Sequence, residues 1–311
     1  MHEFDLINNF FSKLSKHNSS ALGLNDDVFF DKRKKVVISV DTYNINTHFV
    51  DFKSPGLVIK KILRSSISDL ICKGVKPKFY FISGSGNKKN FTKKNLLKIS
   101  KSLKNEQKKY NISLCGGDTT FSNKLSFTII SLGYSNNIVY RNKSKLNDDI
   151  YVTGNLGDSF IGLQILKNKI KVNRKMSKFF VKRYYEPDLQ LNFTNNLLKS
   201  ANTSIDISDG LIDDLKKMIN KQNLSFHIFE KKIPVSKFLG QLIKIKKYKK
   251  INITSRGDDY QILFTAHHTK SRIIKKISNN TGVKITKIGK IVSGKNKSKI
   301  INIKNKQIEA K

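Results

Sequence analysis

The sequence predicts an α/β (α+β) protein made of two α/β halves. Three observations carry this. Short apolar runs rich in β-branched residues alternate with helical patterns along the whole chain. At 311 residues the chain is long enough for two domains with cores of their own. A polar connector, Arg141 to Asp149, separates two similar halves and places the expected domains at 1–145 and 146–311.

In the first half, Glu3 to Lys16 carries Phe4, Ile7, Phe10, Phe11 and Leu14 at helical spacing and predicts an amphipathic helix. Ala21 to Asp27 is a polar loop ending in paired carboxylates. Lys35 to Val40 reads as a strand that delivers Asp41 and Thr42 at its tip, with His48 on the loop beyond. Pro55 opens a helix to about Lys73 that contains Ser66-Ile67-Ser68-Asp69-Leu70. Lys78 to Ser83 is a strand and Phe91 to Tyr110 a long basic helix. Ile112 to Thr120 starts as a strand and breaks at Gly116-Gly117, which puts Asp118 at a tip flanked by Thr119 and Thr120. Leu125 to Tyr134 is another strand.

In the second half, Ile150 to Thr153 is a strand. It runs through Gly154-Asn155-Leu156-Gly157-Asp158 into a helix ending near Asn168. Asp188 to Ser200 reads as a helix. Ser204 to Leu211 is a short strand breaking, around Asp206, Ser208 and Asp209, into a helix to about Lys221. Leu224 to Phe229 is a strand, and Lys231 to Lys250 is basic with poor periodicity. The turn Gly257-Asp258-Asp259-Tyr260 feeds a strand, Gln261 to Thr265. A helix, Thr269 to Asn280, and strands at Lys284 to Ile291 and Lys299 to Ile303 close the chain.

The net charge of +37 raises a basic nucleic-acid-binding protein as the rival from another class. The lysines are spread evenly, without interleaved aromatics or a recognisable nucleic-acid module, so no nucleic-acid partner is expected. A field of that sign draws in anionic, phosphorylated ligands. No run approaches the length of a membrane span, so no membrane partner is expected. Met1-His2-Glu3-Phe4-Asp5 lacks a signal pattern, and Cys72 and Cys115 form neither a disulfide framework nor a metal spacing. The expected compartment is the cytoplasm.

The acids are more telling, being 18 Asp and only 5 Glu. Asp prefers turns, caps and hard-cation sites. Here it recurs in short turns at Asp26-Asp27, Asp41, Asp69, Asp118, Asp206 with Asp209, and Asp258-Asp259. Taken singly, Asp69 and Asp209 read as helix caps, Asp258 and Asp259 as turn formers, and His48 as a surface loop residue. Taken together, carboxylates in one cleft repel one another. A divalent cation removes that cost and keeps positions for phosphate oxygens. There is no Walker loop and no kinase His-Arg-Asp set. The phosphate grip then falls to metals, glycine turns and Arg141. No nucleophile sits beside a base, so direct phosphoryl transfer from ATP to an already anionic acceptor fits the chain.

In order and spacing the motifs resemble those of the thiamine-monophosphate kinase family. They are Gly23-Leu24-Asn25-Asp26-Asp27, Ser39-Val40-Asp41-Thr42 with His48, Ser66-Ile67-Ser68-Asp69-Leu70, Gly116-Gly117-Asp118-Thr119-Thr120, Val152-Thr153-Gly154-Asn155-Leu156-Gly157-Asp158, Ile205-Asp206-Ile207-Ser208-Asp209-Gly210-Leu211 and Gly257-Asp258-Asp259-Tyr260. The resemblance spans about residues 3 to 292. It implies ATP-dependent conversion of thiamine monophosphate to thiamine diphosphate by in-line transfer at a site with several Mg²⁺ ions, accompanied by K⁺. It implies a homodimer formed through the N-terminal sheet and a C-terminal half covering the cleft. By matching positions, Asp27, Ser39, Asp41, Asp69, Asp118, Asp206 and Asp209 would hold magnesium, Asp118 and Asp209 being the most critical. Gly117, Asp118, Arg141 and Ser208 would contact ATP, and His48 and Asp258 would contact thiamine monophosphate. Another ATP-dependent synthetase of the same superfamily is the alternative. Four departures stand out. Asn25 replaces a usual Gly, Val40 a usual Thr and Asp258 a common Glu, and Ile300 to Lys311 has no match to the family's aromatic tail.

Overall fold

The computed structural model describes residues 3–295, 297–301 and 307–308. Most of Ile300 to Lys311, the stretch with no match to the family's aromatic tail, therefore lies outside the described residues. The strands are β1 (Phe29–Asp31), β2 (Val36–Asn44), β3 (Pro77–Gly86), β4 (Ser113–Gly116), β5 (Thr119–Phe121), β6 (Ser126–Tyr134), β7 (Asp149–Thr153), β8 (Thr203–Asp206), β9 (Leu224–Phe229), β10 (Ile262–Ala266), β11 (Ile285–Ser293), β12 (Lys299–Ile301) and β13 (Gln307–Ile308). The α-helices are α1 (Glu3–Leu6), α2 (Pro55–Cys72), α3 (Lys93–Tyr110), α4 (Asp158–Leu166), α5 (Arg174–Tyr185), α6 (Thr194–Ser200), α7 (Leu211–Met218), α8 (Lys237–Lys246), α9 (Lys250–Thr254) and α10 (Ser271–Thr281).

Strands before residue 135 form one sheet in the order β1-β2-β6-β3-β4, with β5 continuing alongside β3. Strands after residue 148 form a second, in the order β13-β12-β9-β11-β7-β10-β8. The central N-terminal pairs β2–β6 and β3–β6 are antiparallel, while β4 and β5 run parallel to β3. Alternation along β2 sends Val37, Ser39, Asp41 and Tyr43 to one face and leaves Val40 exposed on the other.

Helix α2 is buried along almost its entire length, including Lys61, Arg64, Ser66 and Ser68. It packs against β2 and β6 on one side and against β8 and α5 of the second half on another. Polar residues on such a helix need partners. Arg64 finds one in a bidentate ion pair with Glu106 of α3, at 2.7 and 2.9 Å. Gly56 lets α3 come close, because a Cβ there would lie 2.6 Å from Ser102 Oγ. The largest core cluster runs from Tyr43, Val58 and Ile62 to Tyr151 and Phe264, so one apolar interior joins the halves.

The structure corrects several sequence expectations. The stretch Glu3 to Lys16 is not one helix. It passes from α1 into a π turn, Ile7–Phe11, and a 3-10 segment, Ser12–Ser15. Its apolar stripe meets no core, Phe10 and Leu14 being 59% and 81% exposed, and short helices hold poorly without packing. Asp41 lies within β2, which continues to Asn44, rather than at its tip. Helix α5 and, within the basic 231–250 stretch, helix α8 were not anticipated, because lysines fill their solvent faces and only narrow stripes such as Met176-Phe180-Tyr184 and Leu239-Leu242 are buried.

Candidate active site

A cleft of about 480 Å³ opens between the two halves, within the size range of small-molecule sites. Among the residues lining it are Asp41, His48, Asp69, Asp206, Ser208, Asp209 and Asp258. Each arrives from an element end or an inward-facing register position. Strand β2 contributes Ser39 and Asp41, one pleat apart on the same face. Helix α2 contributes Ser65, Ser68 and Asp69 near its C-terminus. Strand β8 ends on Asp206, and the turn to α7 carries Ser208 and Asp209. That turn depends on glycines. A Cβ on Gly210 (φ +126°) would sit 2.4 Å from the Ser255 carbonyl, and one on Gly257 (φ +76°) 2.1 Å from the Ser208 carbonyl oxygen. The second turn holds non-glycine residues in the left-handed region as well, at Asp258 (φ +61°) and Tyr260 (φ +50°). Backbone bonds from Asp258 N to Ser208 O and from Tyr260 N to Ile207 O lock the two turns together.

At the floor, oxygens of Asp27, Asp69 and Asp206 all lie within 4.8 Å of one another. Ser39 Oγ donates to Asp69 Oδ2 at 2.5 Å, and Ser68 Oγ donates to Asp206 Oδ2 at 2.8 Å. Burial first, then the charges of Asp41 and Asp206, push the Asp69 carboxyl well above the usual carboxylate range. Burial likewise raises Asp41, and raises Asp206 to about 6 against the opposing hydrogen bond from Ser68. Burial and crowding of this kind oppose ionisation unless a cation stands among the carboxyls. The donor set is all hard oxygen, which fits Mg²⁺ and not a soft metal.

Two cations of the chain flank this cluster. Arg141 reaches Asp27, its guanidinium pairing with Oδ1 while Nε lies 3.3 Å from Oδ2. Lys73, buried just past the end of α2, pairs with Asp26 and Asp27. Elsewhere in the cleft, Lys61 Nζ sits 2.5 Å from Asp258 Oδ1 and 4.2 Å from the centroid of the Tyr184 ring. The Tyr260 hydroxyl donates to the same Asp258 oxygen at 3.1 Å. His48 Nδ1 accepts from the Asn44 amide at 2.9 Å, so the neutral ring carries its proton on Nε2. Asp259, next to Asp258, turns inward instead and accepts from the Gly157 amide.

A family model described as "AIR synthase related protein, N-terminal domain" matches residues 24–134. A thiamine-monophosphate kinase of Buchnera aphidicola subsp. Schizaphis graminum is 32% identical, the match covering 98% of this chain and 96% of that one. The chain belongs to the thiamine-monophosphate kinase family. The Haemophilus influenzae thiamine-monophosphate kinase is also 32% identical, over 94% of this chain and 89% of its own. The fold agrees with that of AaThiL, solved complexed with AMPPCP and TMP, at a TM-score of 0.83 and 24% identity, covering 100% and 97% of the two chains. The HypE–HypF complex structure shares it at a TM-score of 0.76 and 14% identity, so the architecture extends beyond these kinases.

Within this thiamine-monophosphate kinase chain, one copy brings together Asp27, Ser39, Asp41, Asp69, Asp206, Ser208, Asp209, Arg141, His48 and Asp258. It does not bring in Gly117 and Asp118. Asp41 is in register with Ile129, and Ile129 with Ile82. Gly117 packs on Ile82, whose carbonyl oxygen would lie 1.8 Å from a Cβ there. Three strand spacings, roughly 14 Å, therefore separate Asp118 from Asp41. The residues between Ser113 and Phe121 are all exposed. Sequence reasoning missed Lys73 and Lys61. A lysine at a helix end or on a helix face is ordinary, and nothing local marks these two as buried.

Proposed function

We propose that this kinase transfers the γ-phosphoryl group of ATP in line onto the phosphate of thiamine monophosphate, giving thiamine diphosphate and ADP. The observation that carries the proposal is the convergence of Asp27, Asp69 and Asp206, the last two lining a cleft that His48 and Asp258 also line. The relatives' name and the AMPPCP and TMP bound to AaThiL support the same substrates. Ser39, Asp41, Asp69, Asp206 and Asp209 would hold several Mg²⁺ ions, with Asp27, already paired to Lys73 and Arg141, closing the edge of the cluster. Bound magnesium supplies charge neutralisation at the phosphate oxygens. Ser208 and Arg141 face the nucleotide, and the +37 charge of the chain favours arrival of both anionic substrates. Asp258, braced by Lys61 and Tyr260, places a carboxylate beside the cationic thiamine ring, and His48 offers Nε2–H.

The reading includes a homodimer. One face of the N-terminal sheet carries adjoining apolar rows, Ile38–Leu132–Phe79 and Val40–Ile130–Phe81, in which Val40 is exposed and the others half-buried. A second copy seated there would bring its Gly117 and Asp118 towards the cleft of the first.

Incubating the protein with ATP, Mg²⁺ and thiamine monophosphate should yield thiamine diphosphate and ADP; a folded sample that makes neither refutes the assignment. Mixing two inactive variants tests the second copy. In a mixed dimer of Asp118→Asn and Asp69→Asn, one of the two sites is intact if Asp118 serves its neighbour, and activity returns. If Asp118 serves its own chain, the mixture stays dead.

A further inference from the structure

The Lys73 ammonium sits inside the acid cluster, and its surroundings are those of a bound cation rather than of a surface lysine. Its side chain is wholly buried. Nζ lies 2.7 Å from Asp26 Oδ1, 2.6 Å from Asp27 Oδ2 and 2.8 Å from the backbone carbonyl oxygen of Ser204. Three ammonium hydrogens thus meet three oxygens drawn from a loop of the first half and a strand of the second. The stem rises from the C-terminal end of α2, where the helix dipole also favours positive charge. Arg141 covers the other oxygen of Asp27, so that carboxylate already has a resident cation on each side.

From this geometry we propose that Lys73 is a tethered monovalent cation. Its ammonium fills the place beside Asp26 and Asp27 that a free ion would otherwise occupy. The chain then needs one free cation fewer than its acids alone would demand, and no added K⁺ to hold Asp26 and Asp27 together. Metal ions gather on the Asp69, Asp206 and Asp41 side of the cluster. This rests on the phosphoryl-transfer reading only for those ions, not for Lys73 itself.

The test uses calorimetric Mg²⁺ titration and thermal unfolding of the full chain, neither of which reads activity. Wild type should melt at the same temperature in chelator-treated KCl and in tetramethylammonium chloride. Lys73→Met, a neutral side chain of similar length, should melt lower in tetramethylammonium and recover in K⁺ or Mg²⁺. It should also bind one more cation per chain than wild type. A variant that is destabilised equally in every salt, with the wild-type ion count, shows Lys73 to be a packing element and overturns the proposal. If Lys73→Met does not fold, the wild-type comparison decides: a melting temperature that depends on K⁺ overturns the proposal, and independence supports it. Wild type that binds no Mg²⁺ at all would instead remove the metal reading of the site, with the K⁺ comparison still deciding the role of Lys73.

Discussion

Replacing Asp69 with Asn should make the metal-free protein more stable and the enzyme inactive. The carboxylate oxygens of Asp27, Asp69 and Asp206 lie within 4.8 Å of one another. At an effective dielectric constant of about 20, two charges at that distance repel by roughly 3 to 4 kcal/mol. Lys73 and Arg141 compensate Asp27, so the unrelieved repulsion on Asp69 comes from Asp206 and Asp41. Asn keeps the shape and still accepts the Ser39 hydroxyl. The Lys73 charge nearby offsets part of that repulsion, which leaves a gain of about 2 kcal/mol, or roughly 5 °C in melting temperature. The measurement is thermal unfolding at pH 8 with chelator, repeated with Mg²⁺ and a non-hydrolysable ATP analogue. Wild type should rise on adding metal and nucleotide, and the variant should rise far less. Turnover of the variant should fall by at least about 10²-fold, the scale of removing one electrostatic stabiliser. A variant that melts no higher than wild type in chelator, yet responds to Mg²⁺ as wild type does, would refute the crowding of these acids.

Three further outcomes follow from the same coordinates. Glu106→Ala leaves the Arg64 guanidinium buried without its bidentate partner and should cost about 3 to 5 kcal/mol in chemical denaturation. Asp158 is pushed up by burial from an ordinary 3.8 to about 6. The cost of ionising it in the folded state therefore sets in as pH rises from about 4 and is complete above about 6. Asp158→Asn should stabilise the protein by up to about 3 kcal/mol at pH 8, and the advantage should vanish near pH 4. Ile130→Glu puts a charge in the middle of the half-buried apolar sheet face proposed to join the copies and should give a folded monomer in sedimentation; an unchanged dimer would show that another surface joins them.

The fold class was legible because periodicity is a local signal. Strands such as Leu224–Phe229 and helix α2 announce themselves through their own residues. The failures came where local pattern and tertiary packing diverge. The stripe Phe10-Phe11-Leu14 has helical spacing but no core to meet, and helices α5 and α8 bury stripes too narrow to stand out from their lysines. The site was legible for a different reason. Aspartates in glycine and serine turns are costly to place together, so their recurrence in one chain implies a common purpose before any coordinate is known. What such counting cannot supply is which residue neutralises which. Asp27 reads in the sequence as a metal ligand, yet in the fold both its oxygens already face cations of the chain, Lys73 and Arg141. Asp118 is, by the resemblance, one of the two most critical acids, yet within one copy it stands three strand spacings from Asp41. The two differences have separate causes: Asp27 lies on a loop between Lys73 and Arg141, whereas Asp118 is kept away by the sheet. A sheet presents inward only every second residue of the strands that face the cleft, so Asp118, three strand spacings from Asp41, does not join the cluster within one copy, and the proposed dimer is what would supply it.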